Sequence, residues 1–363
     1  MCIVLGVATV AVLGLVAVAF PARFIGAHCF SVQVLPRERS PELAEATGDV
    51  PSYRRQASAT FLTLPAWYVV YTADEYATFV TSHAPSRFPY FGAIRQYWRY
   101  YAGSCGGTKR IYPFDARAHA ILALTGLAFT LDNTVKGVYE NTVGVVTEGI
   151  GFYHTEEDVF ARKTAGQYAE FVRTAPWYDF PFGERLEALW KDTPMWGLDI
   201  VRKWERRFTL SAEYALMATY AEIVRLGAHA SRRPEDLAIH AWIDNAPERI
   251  FGDHRIRKIK MTGERSYVVA LPRNEAFTPL VTELVTEGVR FRDIAGNDEI
   301  LLTVVAPSAL DLRLEVGEIL LKEPLLTNPA AARIAVKTPV KSLGTVVADL
   351  KRSGLSIERL YDY

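Results

Sequence analysis

The first twenty residues, Met1 to Phe20, lack charge altogether and hold a single polar side chain, Thr9. At about 1.5 Å of rise per residue such a run reaches roughly 30 Å, the hydrocarbon thickness of a bilayer. The sequence therefore predicts an N-terminal transmembrane helix over residues 1–22, with a cleaved signal peptide as the alternative because Ala17-Val18-Ala19 is a small-x-small site. Net charge is also lacking: 41 basic and 41 acidic residues cancel in a chain of 363. This excludes a global field toward nucleic acid, and no nucleic-acid partner is expected. Cysteine is scarce, and Cys2, Cys29 and Cys105 offer neither a disulfide framework nor a C-x-x-C pair, which favours a reducing compartment. The seven histidines are scattered, with no H-E-x-x-H and no E-x-x-H pair, so no metal is expected. No phosphate loop, dinucleotide fingerprint, G-x-S-x-G elbow or kinase set is present. The residues therefore name no cofactor and no catalytic group.

What is present begins with orientation. Arg23, Arg37 and Arg39 follow the apolar start, so the positive-inside rule places the rest of the chain in the cytoplasm of a bacterial-type inner-membrane protein. Residues 23–60, with Pro36, Pro41, Gly48 and Pro51, read as a linker. Residues 61–262 read as a helical, aromatic-rich body. Its early part runs from Trp67 through Tyr76, Phe88 and Tyr97 to Tyr101, with Asp74 as one helix cap and Pro89 opening the next helix. Gly103-Ser-Cys-Gly-Gly107 is expected to break it. Ala118 to Leu131 is charge-free and becomes a second membrane segment over 118–138 if it accepts Asp132 and Lys136, which could pair four apart on a helix. Thr155-Glu-Glu-Asp158 reads as a capped helix start. Pro176-Trp-Tyr-Asp-Phe-Pro-Phe182 is too apolar for a solvated loop and should lie on a surface or in a groove.

The densest local feature is Arg202-Lys-Trp-Glu-Arg-Arg-Phe208. Arg202, Arg206 and Lys203, Arg207 are i,i+4 pairs that share one side of a helix, with Trp204 beside them. These five residues are candidates for a membrane-interface or anion-binding site; a solvated face anchored by Trp204 is the plainer reading. The basic run from His254 to Lys260 reads as a linker or an edge strand.

From Ser266 short strands alternate with helices: a strand over Tyr267 to Leu271, a helix to Thr286 closed by Gly288, and a helix from Leu343 to Arg352 closed by Gly354 before a strand to Tyr361. Two such units predict a ferredoxin-like sandwich over 263–363. The fold class expected overall is α+β: a transmembrane helix, a mostly helical body and this C-terminal sandwich. The ending, Ser342-Leu-Gly-Thr-Val-Val through Gly354-Leu-Ser-Ile to Tyr361, resembles an ACT-type ligand-sensing domain. That resemblance implies a small ligand near the loop before the helix, with Thr338, Ser342 and Gly344 as candidates; the stretch Pro307 to Pro329 departs from the pattern. The function expected is a membrane-anchored binding, sensing or scaffolding protein, partnered by the lipid bilayer and by a small molecule or a protein. The alternative is a membrane-associated enzyme acting on a lipid or isoprenoid-like substrate, whose apolar pocket the aromatic region and the Pro176 to Phe182 loop would line.

Overall fold

The computed structural model describes residues 23–30, 41–109, 111–151, 153–228 and 238–363. Helices fill the first part: α1 (residues 23–28), α2 (Pro41–Thr47), α3 (Ala59–Phe79), α4 (Tyr90–Thr108), α5 (Ala116–Tyr139), α6 (Val145–Gly151), α7 (Glu156–Thr174), α8 (Phe182–Asp192) and α9 (Ile200–Ala228). Their ends follow local chemistry. Asp115 accepts from the Ala118 amide to cap α5, and Thr155 and Asp158 close a full capping box on α7. Pro89 precedes α4 as its sequence suggested. Asp74 caps nothing, because α3 runs through it.

The glycines at 103, 106 and 107 do not break the chain either. Helix α4 continues through them, and a Cβ at Gly107 would meet Leu320 at 2.8 Å and Phe61 at 3.3 Å. Tertiary contact thus overrides propensity at Gly103 and Gly107, where the missing side chains let a β-hairpin lie against the helix.

The expected membrane-spanning fold is corrected. Among the described residues no helix is long and apolar enough to cross a membrane. Residues 118–138 fall within α5, whose inner side carries buried His119, Asn133 and Gly137, and whose Lys136 and Asp132 form the anticipated pair at 3.2 Å. The anchor expected over residues 1–22 lies outside the described residues.

The single ferredoxin-like sandwich is corrected as well. Two four-stranded antiparallel sheets are present, each with one helix, in tandem β-β-β-α-β units. The first comprises β1 (Ala238–Asp244), β2 (Arg257–Gly263), β3 (Ser266–Pro272), α10 (Phe277–Thr286) and β4 (Arg290–Ile294). The second comprises β5 (Glu299–Pro307), β6 (Glu318–Pro324), β7 (Ala331–Pro339), α11 (Leu343–Arg352) and β8 (Ile357–Tyr361). Strand orders correspond: β2-β3-β1-β4 and β6-β7-β5-β8. The details correspond too. The register shifts at Trp242/Ile243 where β1 meets β4, and at Thr303/Val304 where β5 meets β8, the same place in each strand. Pro272 and Pro339 end equivalent strands, and each is followed by a 3₁₀ turn into the helix. Gly288 and Gly354, at φ +89° and +70°, close the two helices with the same pair of backbone bonds, Gly288 N to Val285 O with Val289 N to Leu284 O, and Gly354 N to Lys351 O with Leu355 N to Leu350 O. The first unit starts at Ala238, inside the expected helical body, and the Pro307 to Pro329 stretch supplies β6 rather than an insertion. The basic run at 254–260 enters β2, an edge strand.

The sheets share one core. Their inner faces (Ile239, Ile243 and Val269; Ile300, Leu302 and Ile334) enclose α10 and α11, with Phe277, Leu284, Leu343 and Leu350 packed between them. The outer face of the first sheet is covered by the expected linker: Ala46, Val50 and Tyr53 pack on Trp242 and Val268. The outer face of the second sheet meets α3 and α4, where Leu301, Ala335 and Tyr361 join Phe61, Tyr68, Tyr97 and Tyr101. The aromatic stripe is therefore core. A disulfide joins Cys29 to Cys105 and ties the start of the body to α4. It overturns the expectation of unpaired cysteines and removes the argument for a reducing compartment that rested on it.

Candidate functional site

Helix α9 carries its four cations inward. Arg202, Lys203, Arg206 and Arg207 are all buried, so none of them faces a membrane or a dissolved anion. Each meets acids from neighbouring elements. Arg202 donates to Asp158 at 2.8 Å and lies 3.1 Å from Glu205. Lys203 reaches Glu157 at 3.0 Å and Glu156 at 2.8 Å. Arg206 donates to Glu140 at 2.8 Å and to Glu205 at 2.7 Å. Arg207 donates to Glu157 at 2.6 Å and to the Thr193 and Pro194 carbonyls. Trp204 and Trp190 stack near Arg207, whose guanidinium carbon lies 5.5 and 5.3 Å from their ring centres. Four buried cations thus meet three buried acids, Glu140, Glu157 and Asp158, and the part-buried Glu205, with Glu156 and Glu148 at the edge. The cluster binds α9 to α6, α7 and the end of α5.

Beside this cluster lies a cavity of about 650 Å³, well within the size range of small-molecule sites. Its walls come from α3 (Thr72, Tyr76), α5 (Phe129, Asn133, Lys136), α7 (Thr164, Tyr168) and α9 (Thr209, Leu210, Tyr214), with Phe180 before α8 and Phe182 at its start. The loop expected to lie in a groove does so: Phe180 and Phe182 are buried against Leu189, Leu210 and Tyr214. Val135, Phe208 and Leu216 also line the cavity while 60, 72 and 69% exposed, so its opening has an apolar rim.

The polar floor is built around a π turn, Glu140–Gly144, between α5 and α6. Such turns are rare and recur at functional sites. Glu140 opens it. One carboxylate oxygen, Oε1, accepts from Arg206, while the other, Oε2, is buried with no hydrogen-bond partner among the described residues and rests on Gly144, where a Cβ would collide with it. Burial pushes the Glu140 carboxyl above its ordinary value against the pull of Arg206. Tyr76, in the same wall, is pushed up to about 12 by burial and stays a neutral hydroxyl. Burial opposes the charge on Lys136, but Asp132 and Glu213 outweigh it and hold the ammonium well above its usual range. Four acids (Asp132, Glu140, Asp158, Glu213) face three bases (Lys136, Arg162, Arg206) around the space.

The three residues suggested by the ACT-type resemblance sit apart from this cavity. Thr338 is buried in β7 opposite Ile300, Ser342 ends the 3₁₀ turn before α11, and Gly344 lies exposed in its first turn. Sequence reasoning missed Glu140, Gly144, Lys136 and Asn133 as a group; a π turn leaves no trace in a 3.6-residue pattern. Comparison with protein-family models, with characterised proteins and with solved structures found no match for this chain.

Proposed function

We propose that the helical body binds an amphiphilic small molecule, with an apolar portion in the cavity between α3, α5, α7 and α9 and a hydrogen-bond-donating or cationic group at Glu140. One observation carries this reading: an apolar-walled space of about 650 Å³ lined by Glu140, whose buried Oε2 has no hydrogen-bond partner among the described residues. An unpaired buried acceptor costs about 1–3 kcal/mol, a penalty that a donor on the ligand would remove. The excess of acids over bases around the space disfavours an anionic head. The apolar rim at Val135, Phe208 and Leu216 lets a chain-bearing molecule pass from a lipid phase without crossing a polar surface.

Calorimetric titration with dodecylamine, dodecanol and dodecanoate, which share a tail and differ in the head, tests this. Binding is expected to be strongest for the amine and weakest for the carboxylate, and Glu140→Gln is expected to narrow the spread by about tenfold, the effect of about 1.4 kcal/mol. Equal affinity for all three, or none, would overturn the reading. Because the Glu140 carboxyl is raised and borders three tyrosines, Tyr76, Tyr90 and Tyr139, a second reading is an enzyme that transfers a proton to or from such an amphiphile. Mass spectra of bound molecules before and after incubation would separate turnover from storage.

A further inference from the structure

We infer that Cys29, Cys105 and His119, none of which lines the Glu140 cavity, form a second site, a redox-gated seat for a thiophilic divalent metal such as Zn²⁺. Their ligand atoms lie within 4.8 Å of one another and all three residues are buried. The elements that bring them together are α1, α4 and the first turn of α5, which the disulfide holds in the oxidised protein. Zinc takes sulfur at about 2.3 Å and nitrogen at about 2.0–2.1 Å, so tetrahedral ligands stand about 3.5–4 Å apart, a small adjustment from this arrangement once the sulfurs separate.

Two further observations complete the seat. The Tyr101 hydroxyl meets His119 Nδ1 at 2.9 Å, and Phe114 stacks flat on the ring with centroids 4.6 Å apart. This fixes the imidazole and leaves Nε2 as the metal-binding nitrogen, the usual arrangement in which a neighbour engages the other ring atom. The space needed for a fourth ligand is also present. A small void of about 10 Å³ is lined by Cys29, His119, Asp115, Thr108 and Ser58, which is about one water's worth. Ser58 Oγ in that wall is buried and has no hydrogen-bond partner among the described residues. A metal-bound water there would satisfy it.

The chemistry balances with one named reactant. A dithiol reductant supplies two electrons and two protons to the Cys29–Cys105 bond, becoming a disulfide itself and leaving two thiols. Metal binding then releases those two protons as the thiolates form. Both the disulfide and the metal-loaded form tie α1 to α4, and the reduced empty form does not. The site thereby preserves the same tether in either redox state, provided metal is at hand.

Cobalt titration of the full chain tests this, with and without prior reduction by a phosphine. One Co²⁺ per chain is expected in the reduced protein, with sulfur-to-cobalt charge-transfer absorption, and none in the oxidised protein. Cys105→Ser should abolish the band, and His119→Gln should change the visible spectrum. Tyr101→Phe keeps every ligand and the disulfide, so it guards against simple misfolding; it should weaken cobalt binding by about 10–100-fold. No band after reduction, a band in the oxidised protein, or affinity unchanged in Tyr101→Phe and His119→Gln would overturn the assignment.

Discussion

Removing Glu157 should unsettle the whole α7–α9 contact. Its carboxylate accepts from Lys203 Nζ at 3.0 Å and from Arg207 Nη2 at 2.6 Å, and all three side chains are buried. Glu157→Leu would leave two cations in a dry interior. Lys203 would retain only Glu156, whose side chain is 56% exposed, and Arg207 would retain two carbonyls, the Thr193 hydroxyl and two tryptophan faces. Breaking a buried pair from one side costs about 3–5 kcal/mol, because the stranded charge keeps its desolvation penalty. Against a typical total stability of about 5–15 kcal/mol this is a large loss. Glu156→Gln, which removes the solvent-exposed partner, should cost under about 1 kcal/mol. The triple replacement Glu157→Leu, Lys203→Met, Arg207→Met removes the charges together and should recover most of the loss. Urea unfolding followed by circular dichroism at pH 7 reads all three, and the Glu157→Leu penalty should persist in 1 M salt since buried pairs are poorly screened. If Glu157→Leu costs no more than Glu156→Gln, or if salt erases the difference, the cluster is not the desolvated network described.

Other outcomes follow from the same geometry. Burial raises the Asp293 carboxyl to about 6, although Tyr53 and the Gly296 amide donate to it. A raised acid is protonated more readily folded than unfolded, so its penalty is absent below about pH 4, grows as pH rises to about 6 and is constant above. Asp293→Asn keeps the acceptor and should stabilise by roughly 3 kcal/mol at pH 8, the worth of about two pK units, and by nothing near pH 4, as urea titrations at the two pH values will read. A Cβ at Gly126 would strike the Tyr97 ring, so Gly126→Val should destabilise by about 1–3 kcal/mol in thermal melts, whereas Gly149→Ala, with open space around it, should gain up to about 1 kcal/mol. Cys105→Ser opens a loop spanning 76 residues and should cost about 4 kcal/mol relative to the oxidised protein, a loss that denaturant midpoints will show.

The parts of the fold legible in the sequence were those fixed by local chemistry. Thr155 and Asp158 make their capping box, Gly288 and Gly354 close α10 and α11, and α11 spans Leu343–Arg352 as its apolar period indicates. What stayed hidden was set by contacts between distant segments. The tandem repeat is carried by strand order and bulge position, while its two copies share little more than a proline and a glycine at matching places. Strand β1 was concealed because His240 and Asp244, four apart, suit a helix face as well as the same side of a strand. Gly103 and Gly107 of α4 and Gly126 of α5 are explained by Leu321, Leu320, Phe61 and Tyr97 lying against them.

The basic face of α9 shows most clearly what periodicity leaves undecided. An i,i+4 pattern states that Arg202, Lys203, Arg206 and Arg207 share a side of the helix, but it is silent on whether that side meets water or acid. The signal that decides it was present elsewhere. Glu156, Glu157 and Asp158 open α7, and a capping box explains Asp158 without needing a distant partner, yet Asp158 serves both roles: it closes the cap and receives Arg202. Four cations alongside aromatic residues on one helix, and three acids at the head of another in an electroneutral chain, are therefore better read as two halves of one buried contact than as two separate surfaces. On that reading the cost of burying so many charges needs a compensating geometry, and two atoms of the cluster, Glu140 Oε2 at the π turn and Arg207 Nη1, lack a hydrogen-bond partner among the described residues.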